Sequence, residues 1–454
     1  MKPELTGLYF QNDIVETKEN NIMTYQYLYN GAGLAAGDVD NNGLPDLYVC
    51  GNSVPNKLFL NKGEWKFEDV SQTAGVEGRR GDWKTGVSMV DINADGWLDI
   101  YVCYSGNTEG EGLRKPVIID NPKRNNQLFL NLGCKPGMVP TFREAAKEYG
   151  LEAAGTFSTQ SYFFDFDRDG DLDLFLLNHA NTFYSSLFNT SKLRNLRHPY
   201  FGNKLYRNDS GHFNEISEQS GIHGSGLNYG LSAAISDINK DGWPDIYVTN
   251  DYDEQDFCYL NNRNGSFKEI SHTAFAHLSK YSMGSDAADI NNDQLPDYLV
   301  VDMLPEDNRR QKLLKGPDMY DKYSLAVDSG YHHQNMRNTL QINYGLNADG
   351  VPEFADLGQM AGISNTDWSW GALMADFDND GWKDVFITNG YLHDYTNMDF
   401  LKFAQTQVVS AGVQNSENVN MLDLIQQMPS TKISSYIFKN NPELKFENLS
   451  LIHI

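Results

Sequence analysis

The chain has 454 residues, 61 acidic and 36 basic side chains, and a formal net charge of −25. That balance opposes non-specific binding to nucleic acid, and an aromatic content of 12% opposes disorder. Four cysteines without a CxxC pair supply neither a disulfide framework nor a zinc or redox site, and no apolar run reaches membrane-spanning length.

The elements repeat along the chain. The first copy opens with an acidic loop, Asp38-Val39-Asp40-Asn41-Asn42-Gly43-Leu44-Pro45-Asp46. An apolar run, Leu47-Tyr48-Val49, follows, and then a hairpin pattern of Leu58-Phe59-Leu60-Asn61 with Phe67-Glu68-Asp69-Val70. The second copy places Asp91, Asn93, Asp95, Gly96, Trp97 and Asp99 before Ile100-Tyr101-Val102, with Leu128-Phe129-Leu130-Asn131 and Phe142 beyond. In the third, Asp165, Asp167, Asp169, Gly170, Asp171 and Asp173 precede Leu174-Phe175-Leu176, then Leu205-Tyr206-Arg207-Asn208 with Phe213. The fourth has Asp237, Asn239, Asp241, Gly242, Trp243 and Asp245 before Ile246-Tyr247-Val248, then Tyr259-Leu260-Asn261 with Phe267. The fifth has Asp289, Asn291, Asp293, Gln294, Leu295 and Asp297 before Tyr298-Leu299-Val300, then Leu340-Gln341-Ile342-Asn343 with Phe354. The sixth has Asp376, Asp378, Asp380, Gly381, Trp382 and Asp384 before Val385-Phe386-Ile387, then Ile437-Phe438-Lys439-Asn440 with Phe446.

Oxygen-bearing side chains at loop positions 1, 3, 5 and 9 suit a hard cation such as calcium, which takes six to eight oxygens. Glycine at position 6 allows the sharp turn. A backbone carbonyl from position 7 completes the expected set, which leaves that side chain free to vary among Leu44, Trp97, Asp171, Trp243, Leu295 and Trp382. Gln294 stands where the other five loops have glycine, and is expected to weaken the fifth loop. The flanks are short, β-branched and aromatic, so the loops belong in β-hairpins and not between helices. The plain alternative is a set of acidic surface turns, but six copies favour metal. The expected role of the ions is structural.

Each unit then holds four short antiparallel strands. Units of this kind repeating at roughly 40–50 residues read as propeller blades. The chain starts with a loop hairpin at 34–50 and ends with a second hairpin at 436–449. Pairing these two would form one composite blade, close residues 1–454 as a single propeller domain, and hide two sheet edges. Long insertions follow the second strands, at about 104–126, 178–202, 302–337 and 390–434, and lie at the opposite end from the loops. An aromatic stands eight residues before five of the loops: Trp83, Phe157, Tyr229, Tyr281 and Trp368. Small residues follow at Gly33, Gly86, Ser232, Gly284 and Gly371. The aromatics either pack blade against blade or form a platform for sugars or peptides. Cys50 and Cys103 occupy equivalent places after their strands and read as buried small apolar residues.

The acidic loops, the blade pattern and the glycine/aromatic entry to each first strand resemble the FG-GAP/VCBS repeats, found in the integrin α-subunit head, in cartilage-acidic-protein-like proteins and in bacterial surface proteins. The resemblance implies an all-β, calcium-bound propeller outside the cell. It often implies seven blades where six loops are visible, with Gly7-Leu8-Tyr9-Phe10-Gln11-Asn12 as the candidate strand of a degenerate seventh. It also implies a chain that continues into further domains.

The resulting expectation is a non-catalytic, calcium-binding, extracellular or cell-surface propeller for adhesion or for binding a protein or glycan through its insertions. Met1-Lys2-Pro3-Glu4-Leu5-Thr6 lacks the apolar core of a signal peptide, so export implies a leader already removed. Sequons at Asn189, Asn208, Asn264 and Asn448 are compatible with export. The alternative is a lyase-like propeller enzyme acting on acidic polysaccharide. It would need Arg309, Arg310 and His332 or His333 to converge with a bound metal. Neither a phosphate loop nor a GxSxG or HExxH motif is present.

Overall fold

The computed structural model describes residues 2–450 except 18–19, 108–110, 112–120, 182–189, 253 and 412–419. Parts of three of the insertions, and the sequon at Asn189, lie outside the described residues. The fold is all-β: six four-stranded antiparallel blades of a β-propeller. They fall in two compact units, Met1–Phe183 with Leu196–Asn228, and Tyr184–Asn195 with Tyr229–Ile454.

The first unit holds blades 1 to 3. Blade 1 is Leu34–Gly37, Asp46–Val49, Lys57–Asn61 and Phe67–Asp69. Blade 2 is Trp83–Val90, Asp99–Ser105, Gln127–Asn131 and Phe142–Glu144, and blade 3 is Ser158–Phe164, Asp173–Asn178, Lys204–Asn208 and Phe213–Glu215. The second unit holds blades 4 to 6. Blade 4 is Gly230–Ser236, Asp245–Asn250, Phe257–Asn261 and Phe267–Glu269. Blade 5 is Ser285–Ala288, Asp297–Val300, Thr339–Leu346 and Pro352–Asp356, and blade 6 is Ser369–Ala375, Asp384–Asn389, Tyr436–Lys439 and Glu447–Asn448.

Two expectations fail here. Strands pair in sequence order within every sheet, so the hairpin at 34–49 is completed by the one at 57–69 (Val49 opposite Lys57). Likewise Tyr436–Lys439 pairs with Asp384–Asn389 (Tyr436 opposite Ile387). Each terminal hairpin already has its partner, and no composite blade forms among the described residues. Gly7–Asn12 is not a strand: Gly7, at φ +80°, caps the short helix Pro3–Thr6, and the residues after it are irregular. The described residues contain six blades and no seventh.

Side-chain alternation explains why the second strands read as continuous apolar runs. In blade 2, Ile100, Val102 and Tyr104 join the core shared with Tyr48, Leu58 and Leu60 of blade 1. Tyr101 and Cys103 point the other way, into the core with Leu174, Leu176 and Tyr206 of blade 3. The same division recurs in blade 5, with Tyr298 and Val300 facing Tyr247 and Cys258, and Leu299 and Val301 facing Val385 and Ile387. A strand sandwiched on both faces must be apolar on both. Each fully buried side chain of this size contributes about 1.5–3 kcal/mol. All four cysteines are free, and Cys50 and Cys103 are buried as expected.

The small residues on the first strands mark close approaches between neighbouring blades. A Cβ on Gly86 would lie 2.4 Å from the Thr159 carbonyl oxygen, and one on Gly284 would lie 2.2 Å from the Trp370 carbonyl oxygen. Side chain–backbone hydrogen bonds link the same neighbouring first strands: Thr85 Oγ1 donates to Ser158 O at 2.7 Å, and Met374 N donates to Asp286 Oδ2 at 2.7 Å.

Candidate metal centres in the aspartate loops

Every acidic loop joins the first and second strands of its blade, and the same hydrogen bonds build all six. The position-1 carboxylate accepts the amides of positions 5 and 6. In loop 1, Asn42 N and Gly43 N donate to Asp38 at 3.0 and 2.7 Å. In loop 5 the donors are Asp293 N and Gln294 N, to Asp289 at 3.0 and 2.8 Å. Position 6 sits at φ between +84° and +99° in the five glycine loops, and Gln294 takes φ +72°. Gln294 therefore keeps the loop's shape in a backbone region that L-residues disfavour. Position 4 is also left-handed throughout: Asn41, Ala94, Arg168, Lys240, Asn292 and Asn379 lie between +52° and +60°. The only sequence signal for this is asparagine at three of the six places.

The position-9 aspartate anchors the loop to the sheet. One oxygen accepts the position-2 amide and the other accepts the amide of an asparagine in or just after the third strand. Asp46 takes Val39 N at 2.9 Å and Asn61 N at 2.7 Å; Asp297 takes Ile290 N at 3.0 Å and Asn343 N at 2.8 Å. Asp99, Asp173, Asp245 and Asp384 repeat the pair with Asn131, Asn208, Asn261 and Asn440. Three of these asparagines also tie a blade to the preceding loop, as Asn131, Asn343 and Asn440 donate side-chain N–H groups to Val39, Ile238 and Ile290 carbonyls at 2.9, 2.9 and 3.0 Å. The recurring Asn is plain in the sequence, but its role is not. Asn208 is buried in this contact, which removes it as a glycan acceptor.

Burial raises the carboxyls of Asp46, Asp99, Asp173, Asp245 and Asp297. Desolvation is the main cause, opposed by the two backbone donors, and it pushes Asp46 and Asp99 up to about 6 and Asp173, Asp245 and Asp297 up to about 7. Nearby loop carboxylates add to the rise. Clustered, partly desolvated carboxylates of this kind favour a cation.

The loops differ in what they gather. Asp38, Asp40 and Asp46, then Asp165, Asp167 and Asp173, then Asp376, Asp378 and Asp384 each bring three carboxylate oxygens within 4.8 Å of one another. In loops 2, 4 and 5 position 3 is asparagine, and Asn93, Asn239 and Asn291 turn their amides to the position-5 carboxylates at 3.0, 2.8 and 2.9 Å. The position-5 groups also cap the turn, accepting the position-7 amide: Asp95 from Trp97, Asp169 from Asp171, Asp241 from Trp243, Asp293 from Leu295 and Asp380 from Trp382, all at 2.8–3.0 Å. The donor set fits a calcium ion. Asp167 Oδ1 is buried within its triad and has no hydrogen-bond partner, the condition a metal ion relieves. Cationic side chains reach into two other loops: Arg263 contacts Asp241, and Lys439 contacts Asp378 and Asp380.

The aromatics before the loops are packing residues. Trp83 meets Tyr25 edge-on at 5.8 Å, Phe157 lies 5.3 Å from His179, Tyr229 lies 4.7 Å from Tyr252, and Trp368 stacks on Tyr391 at 4.2 Å. Trp83, Phe157, Tyr229 and Trp368 are buried and offer no open stacking face. Among the insertion candidates, Arg310 is clamped by Asp367 and by Asp394 (3.0 Å), and Thr431 also donates to Asp394. His332 stacks on His272 at 4.7 Å and faces Phe275 O at 3.1 Å. The two groups serve separate contacts. Arg309 borders a cavity of about 470 Å³ with Leu313, Asn397, Phe400, Phe403 and Pro429. Among the described residues no helix is long and apolar enough to cross a membrane.

Six blades, each opened by an aspartate turn pinned to its own third strand, define a repeat-built β-propeller. The profile of the FG-GAP-like repeat matches residues 38–102 and 237–300, which supports kinship with FG-GAP repeat propellers. It is similar to cartilage acidic protein 1 of Xenopus tropicalis, 30% identical over 151 residues, which are 33% of this chain and 20% of that protein. The human cartilage acidic protein 1 is 26% identical over 219 residues, 38% of this chain and 33% of that protein. The chain thus spans a third or less of these relatives' length. Among solved structures, an Agrocybe aegerita lectin described as specifically recognising non-reducing terminal N-acetylglucosamine aligns over 92% of this chain and 79% of its own, with 13% identity and a TM-score of 0.45.

Proposed function

We propose that this chain is a non-catalytic, calcium-stabilised propeller that works outside the cell and binds a protein or glycan partner through the segments inserted after its second strands. The observation that carries the calcium reading is Asp167 Oδ1, a buried carboxylate oxygen without a donor inside a cluster of three aspartates. Positions 1, 3, 5 and 9 of each loop would hold the ion, with the carbonyl of position 7. The bound ion would supply charge neutralisation and rigidity at the blade ends. Millimolar extracellular calcium suits loops of this composition, since extracellular calcium modules bind at about 10⁻⁴–10⁻³ M. The cartilage acidic protein relatives, by their name, support an extracellular setting.

Thermal unfolding in excess chelator, then with calcium or magnesium restored, tests the reading. Melting should fall in chelator and recover with calcium, by an amount that grows with its free concentration. Magnesium should restore little, because it demands a tighter octahedron and gives up water reluctantly. A melting curve indifferent to chelator would refute calcium stabilisation.

A further inference from the structure

Loops 2 and 4 form a matched pair. Both carry Asp, Asn, Asp, Gly, Trp and Asp at positions 1, 3, 5, 6, 7 and 9. In loop 2 the position-5 carboxylate, Asp95, accepts only the Trp97 amide and the Asn93 side chain among the hydrogen bonds found. In loop 4 the equivalent Asp241 accepts those two donors and also Arg263 Nε and Nη2, at 3.0 and 2.8 Å on Oδ2. Arg263 stands two residues after the third-strand asparagine. At that place blades 1, 2 and 5 have Gly63, Gly133 and Gly345, all at positive φ. Arg263 keeps the same turn, at φ +60° with its amide on Asn261 Oδ1 at 2.8 Å. A long cationic side chain thus occupies a glycine-favouring position and spans back to a candidate metal ligand.

Loops 3 and 6 repeat the contrast. Lys439 precedes the third-strand asparagine of blade 6, touches Asp378, and lies 3.0 Å from Asp380. Arg207 holds the same place in blade 3, but pairs with Asp209 at 2.9 Å, and Asp167 of loop 3 keeps its unpartnered oxygen. A divalent cation entering loop 4 or loop 6 must displace an organic cation from a ligand carboxylate. Among the described residues no ion pair is made to the equivalent groups of loops 2 and 3, where Arg207 acts on Asp167 only at longer range, from its pairing with Asp209.

We propose that Arg263 and Lys439 are built-in counter-cations of loops 4 and 6. They hold those two loops in shape without metal and lower their affinity for a divalent cation below that of loops 2 and 3. The proposal rests on the calcium reading above. It divides the loops into two classes: open ones that depend on the ion, and self-neutralised ones that fill last.

Terbium, a calcium-sized ion whose emission is sensitised by a nearby indole, separates the sites, because loops 2, 4 and 6 carry Trp97, Trp243 and Trp382 at position 7. The full chain, stripped of metal, is titrated with Tb³⁺. Trp97→Phe, Trp243→Phe and Trp382→Phe backgrounds assign the emission. The Trp97-dependent signal should saturate first. Arg263→Gly, which installs the residue of the other blades, should move the Trp243-dependent midpoint to about fivefold lower Tb³⁺, the size expected for a partly exposed ion pair. It should leave the Trp97 and Trp382 signals in place. Lys439→Leu should do the same for the Trp382 signal alone. In chelator both variants should melt below the parent, and calcium should raise them by more. Coincident midpoints that neither substitution moves would overturn the counter-cation proposal while leaving metal binding intact. Absence of sensitised emission from all three loops would overturn the calcium reading and this proposal with it.

Discussion

In the aspartate loops the same hydrogen bonds recur six times, whereas the segments that leave the second strands share one bond in five blades, from an amide at or just past the end of the second strand to the Asn or Asp just before the third, and add contacts particular to one blade. The position-9 aspartate meets a third-strand asparagine amide in every blade. By contrast, the Arg310 clamp on Asp367 and Asp394 belongs to blade 6 and its neighbouring insertion, and the Tyr25–Ser105–His179 network belongs to the first unit. Repetition marks what the fold requires. Irregular polar detail at the other end marks where blades are free to differ, which is why the proposed partner binding is placed there.

The largest single-residue effect is expected at the irregular end. Arg310→Ala would leave Asp367 and Asp394 facing each other with their shared counter-ion gone, and both are largely buried. Losing one member of such a cluster costs about 3–5 kcal/mol, readable as a shift in the urea midpoint. Arg310→Lys should recover only part of it, since lysine cannot fork to two carboxylates.

Loop anchors come next, and they test equivalence. Asp99→Ala, Asp245→Ala and Asp297→Ala each orphan two backbone amides. Measured in chelator, each should cost about 2–4 kcal/mol. Strongly unequal losses would break the claim that all blades use one device. Asn343→Ala removes the side-chain bridge to Ile238 O and should cost about 1–2 kcal/mol.

Lys84 gives a pH test. It is buried in the first strand of blade 2 with Nζ on Arg79 O at 3.0 Å. Desolvation pushes it down from 10.5 to about 8, and the nearby Cys50 and Asp82 oppose the drop. Between these values the unfolded chain binds more protons than the folded one, so stability should rise with pH from about 8 to 10.5. Lys84→Met should flatten that rise. The smallest effect is Gln294→Gly, which relieves a left-handed non-glycine residue and should stabilise by about 1 kcal/mol.

Much of this fold was legible because it was written six times. The loops, the apolar second strands and the second hairpins each fall where the pattern places them. The error at the seam has a physical source: the loop hairpin pairs with the hairpin after it, across a short connection such as 50–56, so neither end of the chain lacks a partner. The role of Asn61 and its counterparts was not legible, since a strand-ending asparagine looks like an ordinary turn residue until its amide is seen on the aspartate. The aromatics before the loops were ambiguous for a related reason. A residue repeated in every blade serves packing or binding equally well on paper, and only the burial of Trp83, Phe157, Tyr229 and Trp368 assigns them to packing. Arg263 and Lys439 carried no signal in the repeat pattern until their side chains were seen in the loops.

The central claim, that the aspartate loops hold calcium, is tested most directly by counting. Equilibrium dialysis of the metal-stripped full chain against millimolar calcium, with the bound ion measured by elemental analysis, should give several ions per chain, little reduced by equimolar magnesium. Loss of one open loop through Asp165→Ala combined with Asp167→Ala should remove one ion from that count. A stripped chain that binds no calcium at millimolar concentration, while remaining folded by circular dichroism, would contradict the account.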